Sequence, residues 1–243
     1  MKTMNWMLFS SLLLAGAVAP VAAEPGGSPE FVFYVQQAWP RQTTTNEQIA
    51  EINRTFGSDF DDWGDVPNLS IGAQLLWDLA PGWKLGVQVD YGSGSIDGRE
   101  QVPTPVGPAK LSFEQRYDIY TDIYAVGKWY PWPESKQVQP FLLGGAGIAY
   151  ESDTTTLKLR NELIDSGLRV ENDGWFPTYT AGLGMNLPIS EASSWYVEFG
   201  IAYVWARMTN RVPVTGDLAP SAKVTADTDL SGPNFWVGVA RSF

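Results

Sequence analysis

The chain has 243 residues, a formal net charge of −11, and neither His nor Cys. Disulfide frameworks, Cys/His metal centres and catalysis by imidazole or thiolate are therefore excluded. Aromatic residues make up 13% and charged residues only 18% of the chain, and the acidic balance leaves little to neutralise nucleic-acid phosphates, so a nucleic-acid partner is excluded as well.

The N-terminus carries an export signature. Lys2 supplies a positive charge, Met7 to Val18 is mostly apolar, and Val21-Ala22-Ala23 offers small residues for cleavage. The expectation is a cleaved signal peptide over residues 1–23 and a mature domain over 24–243. The apolar core, about 12 residues, is shorter than the roughly 20 that a membrane-spanning helix requires. No later run is long and apolar enough for such a helix.

The rest of the chain alternates with period two. A first strand is expected near 31–39. From Leu69 the odd positions Leu69, Ile71, Ala73, Leu75, Trp77 and Leu79 oppose Ser70, Gly72, Gln74 and Asp78. After Ala80-Pro81-Gly82 the row resumes with Trp83, Leu85, Val87, Val89 and Tyr91 against Lys84, Gly86, Gln88, Asp90 and Gly92. These form a hairpin. Further strands are expected near 113–130, 138–150, 175–187, 195–206 and 233–243. Eight strands result, each at or above the roughly 9–11 residues of a tilted membrane strand.

The links alternate too. Ala80-Pro81-Gly82, Pro131 to Gln137 and Pro188 to Ser194 are short, whereas Pro40 to Pro67, Ser93 to Ser112, Glu151 to Gly174 and Arg207 to Gly232 are long. Short periplasmic turns and long outer loops are the pattern of an up-and-down barrel across a membrane. The first long loop contains Thr45-Asn46-Glu47-Gln48, which suits a capping box, then Ile49, Ile52 and Phe56 at helical spacing and Gly57 as a stop. A short helix packed on the barrel rim is expected there, with a lipid or partner contact as the alternative. The acidic stretch Asp59 to Asp65 is expected to be a solvated loop. Its alternative is a Ca²⁺ or Mg²⁺ site bridging to lipopolysaccharide phosphates, which would lack a bidentate Glu because Ser70 stands at that position.

A soluble barrel would alternate as well, but with its polar face outward. Here the polar-side row carries Phe141, Leu143, Gly145, Gly147, Ala149, Gly182 and Gly184. Small side chains suit a crowded interior and not a water-facing exterior. Trp77, Trp83, Trp129, Trp132 and Trp195 fall beside the short turns; Trp39, Tyr91, Tyr117, Tyr150, Trp175, Tyr203 and Trp205 lie toward the long loops. Two such clusters suit the membrane–water boundaries. The fold class is all-β: an eight-stranded antiparallel up-and-down transmembrane β-barrel with a short helix in the first long loop.

The last strand, Asn234 to Phe243, ends on an aromatic residue. It resembles the assembly signal of bacterial outer-membrane barrels, with Gly238 and Phe243 in register and Arg241 departing from the usual apolar or aromatic residue. Gln139 to Tyr150, followed by Ala181-Gly182-Leu183-Gly184-Met185, resembles paired strands of the OmpA-type or opacity-type eight-stranded family. The resemblance implies location in the outer membrane and contact with its lipid and lipopolysaccharide. It also implies docking of the C-terminal strand to the barrel-assembly machinery, and a monomer. No cofactor and no catalytic residues are expected. Small barrels that modify lipid A or cleave peptides use His, which this chain lacks.

On the lumen side, strand four offers Glu114, Arg116, Asp118, Asp122 and Lys128 with Tyr120 and Tyr124, and its neighbours offer Lys84, Gln88, Asp90 and Glu198. A packed, nearly charge-balanced core is expected, since buried ions persist when paired. The function expected is a non-enzymatic envelope role, structural or through surface contacts of the long loops. The alternative is a narrow pore or a channel for a small hydrophobic ligand; a lipid-modifying enzyme is a more distant reading.

Overall fold

In the computed structural model, residues 29–40, 43–62, 68–135, 137–190, 194–217 and 223–243 are described. The expected signal peptide lies outside them. Among the described residues, nine strands and one helix follow in the order β1 (Glu30–Ala38), α1 (Thr43–Phe56), β2 (Asn68–Ala80), β3 (Trp83–Val102), β4 (Ala109–Trp129), β5 (Gln139–Arg160), β6 (Asp165–Pro188), β7 (Trp195–Gly216), β8 (Lys223–Asp229) and β9 (Gly232–Ser242).

Eight of the strands close a ring. From β1 to β7 each strand pairs antiparallel with the next, β7 pairs with β9, and β9 returns to β1 with Gln36 opposite Trp236. The expected eight-stranded up-and-down barrel is therefore present. β8 is an addition: it pairs with the far end of β7, from Arg207↔Asp229 to Pro213↔Lys223.

Three of the four expected long loops are largely strand. β3 and β4 run past the expected boundary to a short connection between Val102 and Ala109. β5 and β6 pair from Tyr150↔Trp175 out to Arg160↔Asp165. The hairpins continue because one face still has something to cover. Ile96, Val102, Leu111 and Phe113 are buried on their inner side against α1. β1, β2 and β9 stop lower, at Ala38, Asn68 and Gly232, and α1 packs against the taller hairpins.

The helix carries the expected pattern: Ile49 is fully buried, and Ile52 and Phe56 pack beside it. It begins at Thr43, so Thr45 lies in its first turn and not ahead of it. Gly57 follows the last turn with φ +68°, the left-handed geometry that closes many helices. The expected packing of this helix on the barrel is present.

The alternation of inside and outside is as expected over the lower barrel. Leu69, Ile71, Leu85 and Val87 are exposed, while Gln74, Gln88 and Asp90 are buried. On β4 the expectation fails above Tyr120. Pairing with β3 steps from Gly92↔Tyr120 to Gly94↔Tyr117, and pairing with β5 steps from Ser152↔Ile119 to Asp153↔Tyr117. Asp118 is thus the extra residue of a β-bulge, which reverses the faces beyond it. Gln115 and Tyr117 turn inward, while Glu114 and Arg116 face out. Arg116 pairs with Asp118 on the surface. Neither belongs to the lumen, and Tyr117 belongs to no girdle.

Candidate functional site: the barrel lumen

The lower lumen is filled by a layer built around Lys128 of β4. Its Nζ lies 2.8 and 2.6 Å from Glu198 Oε1 and Oε2 on β7, and both side chains are fully buried. Trp236 Nε1 donates to Glu198 Oε1 at 3.1 Å, and Lys128 Nζ sits 4.6 Å from the Phe141 ring centroid. Phe141 in turn meets Tyr130 at 5.5 Å and Trp236 at 6.5 Å between ring centroids. The indole has room because β7 presents Gly200 there; a Cβ would overlap the Trp236 ring. Lys84 closes the short-turn end with Glu30 at 2.7 Å.

Above this layer runs a polar chain. Gln74 Nε2 donates to Gln88 Oε1 at 2.9 Å, Gln88 Nε2 donates to Asp90 Oδ2 at 2.7 Å, and the Tyr34 hydroxyl donates to Asp90 Oδ1. Asp90 and Asp122 are cross-strand neighbours. Asp122 Oδ2 accepts from Tyr120 and, at 3.1 Å, from Tyr124, whose oxygen lies 2.9 Å from Thr178 Oγ1. Higher still, Asn172 Nδ2 donates to Asp153 Oδ2 at 3.1 Å. The mouth is then closed by the cluster of Ile49, Phe60, Ile96, Val102, Leu111, Phe113 and Tyr117.

Of the expected lumen residues, Lys84, Gln88, Asp90, Asp122, Tyr124, Lys128 and Glu198 line the interior. Glu114, Arg116 and Asp118 do not. Sequence reasoning missed Glu30, Glu151, Asp153 and Tyr34, all buried. Glu151 and Asp153 continue the odd-numbered inward row of Phe141 to Ala149, so the signal was present past the expected strand end. The balance also differs from expectation. Among the described residues, the buried carboxylates Glu30, Asp90, Asp122, Glu151, Asp153 and Glu198 outnumber the inward lysines, Lys84 and Lys128.

The acidic loop is only partly described, since residues 63–67 lie outside the described residues. Among the described residues no group of three or more acidic side chains is arranged to hold a metal ion. Asp59 contributes its backbone N–H to Glu100 Oε1 at 2.9 Å.

The exterior carries the opposite chemistry. Phe31, Phe33, Ile71, Leu85, Val87, Ile123, Leu142, Ile148, Leu183, Ile201, Val237 and Val239 are all exposed. Trp83, Trp129, Trp132 and Trp195 ring the short-turn end; Trp39, Tyr91, Trp175 and Trp205 ring the other. Trp83 and Trp129 lie 6.0 Å apart, and Tyr150 and Trp175 5.1 Å. A closed antiparallel ring satisfies every strand edge, and an apolar belt between aromatic girdles matches a bilayer. This is an integral outer-membrane β-barrel.

Arg241, the departure in the terminal strand, lies at the lower girdle, 5.2 Å from the Trp195 ring and 4.7 Å from that of Phe243. Its cation is thereby accommodated at the interface. No protein-family model and no curated protein matches the chain. Among solved structures, it is similar to the outer membrane protein OprG from Pseudomonas aeruginosa, at 16% identity over 89% of this chain and 97% of that chain, TM-score 0.45. It is also similar to a major outer membrane protein from Thermus thermophilus, at 9% identity over 89% and 100%, TM-score 0.43. A third is the outer membrane protease OmpT from Escherichia coli, at 7% identity over 93% and 99%, TM-score 0.40.

Proposed function

We propose that this outer-membrane barrel is a non-conducting, non-enzymatic scaffold that acts at the cell surface through its tall hairpins. The observation that carries the reading is the double closure of the lumen. The Lys128–Glu198 pair with Phe141, Tyr130 and Trp236 fills the lower half, and the apolar cluster under α1 fills the mouth. An eight-stranded ring is only wide enough for its own side chains. The upper cavity beside Tyr117 and Tyr120 has a volume of about 50 Å³. It suits a few waters, whereas ligand pockets measure about 300–1,000 Å³.

A surface role is supported by where ordered structure has been placed. β3–β4, β5–β6 and β7–β8 stand beyond the girdle of Tyr91, Trp175 and Trp205 and are laced by ion pairs, including Arg160–Asp165 at 2.6 Å and Arg169–Glu171 at 2.6 Å. The absence of His and Cys supports a non-enzymatic role by removing imidazole bases and thiolate nucleophiles. Contact with lipopolysaccharide, insertion through the Phe243 terminus and a monomeric state belong to the same proposal. Shortening β5–β6 to a turn just above Tyr150 and Trp175 should leave heat-modifiable folding intact and abolish surface binding by expressing cells. Binding unaffected by shortening all three hairpins would overturn the reading.

A further inference from the structure

The excess of acid in the upper lumen calls for a counterion. Glu30 is paired with Lys84 and Glu198 with Lys128, but Asp90, Asp122, Glu151 and Asp153 have no cation within ion-pair distance among the described residues. Asp90 and Asp153 spend oxygens on neutral donors, as described above. Glu151 does not: it is fully buried, and neither Oε1 nor Oε2 has a hydrogen-bond partner. Asp122 Oδ1 is likewise unpartnered.

These two side chains belong together. Glu151 of β5 lies opposite Tyr120, two residues before Asp122 on the neighbouring strand β4, and both face the lumen. Diagonal neighbours of this kind stand roughly 7–8 Å apart, within reach of a long side chain such as that of Glu. Both side chains are buried, and Ala149, opposite Asp122 on β5, belongs to a buried apolar cluster with Phe176, Val204 and Met208. A pair of carboxylates in such a medium repels strongly and forgoes solvation; a bound cation relieves both.

We infer that Asp122 and Glu151 hold a divalent cation inside the upper barrel, with part of its water shell retained. Divalent charge is favoured because four carboxylates stand uncompensated. Retained water is favoured because no three acidic groups converge on one point among the described residues. Mg²⁺ is bound in this manner, by one or two carboxylates with several waters kept. Tyr120, which donates to Asp122 and lies opposite Glu151, also lines a cavity of about 50 Å³ with Tyr117, Gln36, Ser70 and Asn234, which has room for a few such waters.

The test uses the full-length mature barrel, refolded in detergent and stripped with a chelator. Millimolar MgCl2 should raise its melting temperature by several degrees above the effect of choline chloride at equal ionic strength, with saturation near one ion per barrel by calorimetric titration. Glu151→Gln should fold, melt higher than the stripped wild type, and lose the Mg²⁺-dependent rise. Asp122→Asn should lose it too, and Asp61→Asn with Asp62→Asn, in the acidic loop, should retain it. An equal rise in choline chloride, no binding heat, or loss of the rise in the loop variant would overturn the assignment.

Discussion

Lys128 and Glu198 lie 70 positions apart in the chain, yet their charged ends meet at 2.6 Å across the barrel with no solvent exposure. Two ions removed from water are retained only when each compensates the other. The pair also has Trp236 as a third member, which fixes the carboxylate. Lys128→Ala should cost about 3–5 kcal/mol because it strands Glu198 in an apolar layer. The double variant Lys128→Met with Glu198→Met should recover most of that loss. Urea unfolding in lipid vesicles measures both.

The surface pair Arg116–Asp118 should behave otherwise. Both side chains are substantially exposed, at 58% and 36%, and such pairs contribute about 0–1 kcal/mol. Arg116→Ala should leave the unfolding midpoint nearly unchanged. A loss comparable to that of Lys128→Ala would mean that Arg116 points into the lumen and that the bulge at Asp118 is misplaced.

That bulge marks the limit of what the sequence could tell. Period two defines the ring, the hairpin at Ala80-Pro81-Gly82, and the inward rows of β2, β3 and β5, because a one-residue slip anywhere would turn Leu85 or Val87 into the core. A single inserted residue leaves alternation intact on either side and only reverses its sense. Nothing in the local composition of Tyr117-Asp118-Ile119 marks it, so alternation alone puts Arg116 on the wrong face. The tall hairpins escape detection for another reason. Gly, Pro and charged residues between 93 and 112 read as loop, while the burial that makes them strand is supplied by α1 from a distant part of the chain. The Lys128–Glu198 contact is likewise hidden, since spacing within strands says nothing about partners across a lumen.

The lipid-facing row gives a third expectation. Val87 is exposed on β3 beside Leu85, and Arg at this position should cost roughly 2–4 kcal/mol if it sits at the bilayer midplane. Gln88→Leu, on the opposite face, should instead remove the partners of Gln74 Nε2 and Asp90 Oδ2. Reversible unfolding of the two variants in vesicles separates the effects. A neutral Val87→Arg would reverse inside and outside.

The packed helix gives a fourth. Ile49 is buried at the centre of the mouth cluster, and Ile→Ala at such a site costs about 2–5 kcal/mol. Because α1 lies above the ring, the loss should appear as faster amide exchange in α1 and the β3–β4 tip, with exchange in the lower ring unchanged.

The tip of β5–β6 gives a fifth, dependent on pH. The hydrogen bond from Arg160 at 2.6 Å, helped by its charge, holds the exposed Asp165 carboxyl below the usual carboxylate range. A lowered folded-state value means that the pairing is present at neutral pH and is lost as pH falls through that value. Carbon-detected titration should place Asp165 below an unstructured Asp, and Arg160→Ala should return it to the ordinary value. Identical titration in both proteins would remove the pair from solution.

Closure of the lumen is the claim on which the functional reading rests, and single-channel recording of the refolded barrel in a planar bilayer tests it most directly. The double seal at Lys128–Glu198 and at Ile49 predicts no steady conductance in the unmutated protein, even at high salt, and only brief, unselective openings in Lys128→Ala. Stable, ion-selective current through the wild type, with selectivity altered by charge changes at Lys128 or Asp122, would contradict the closed barrel and make the protein a channel.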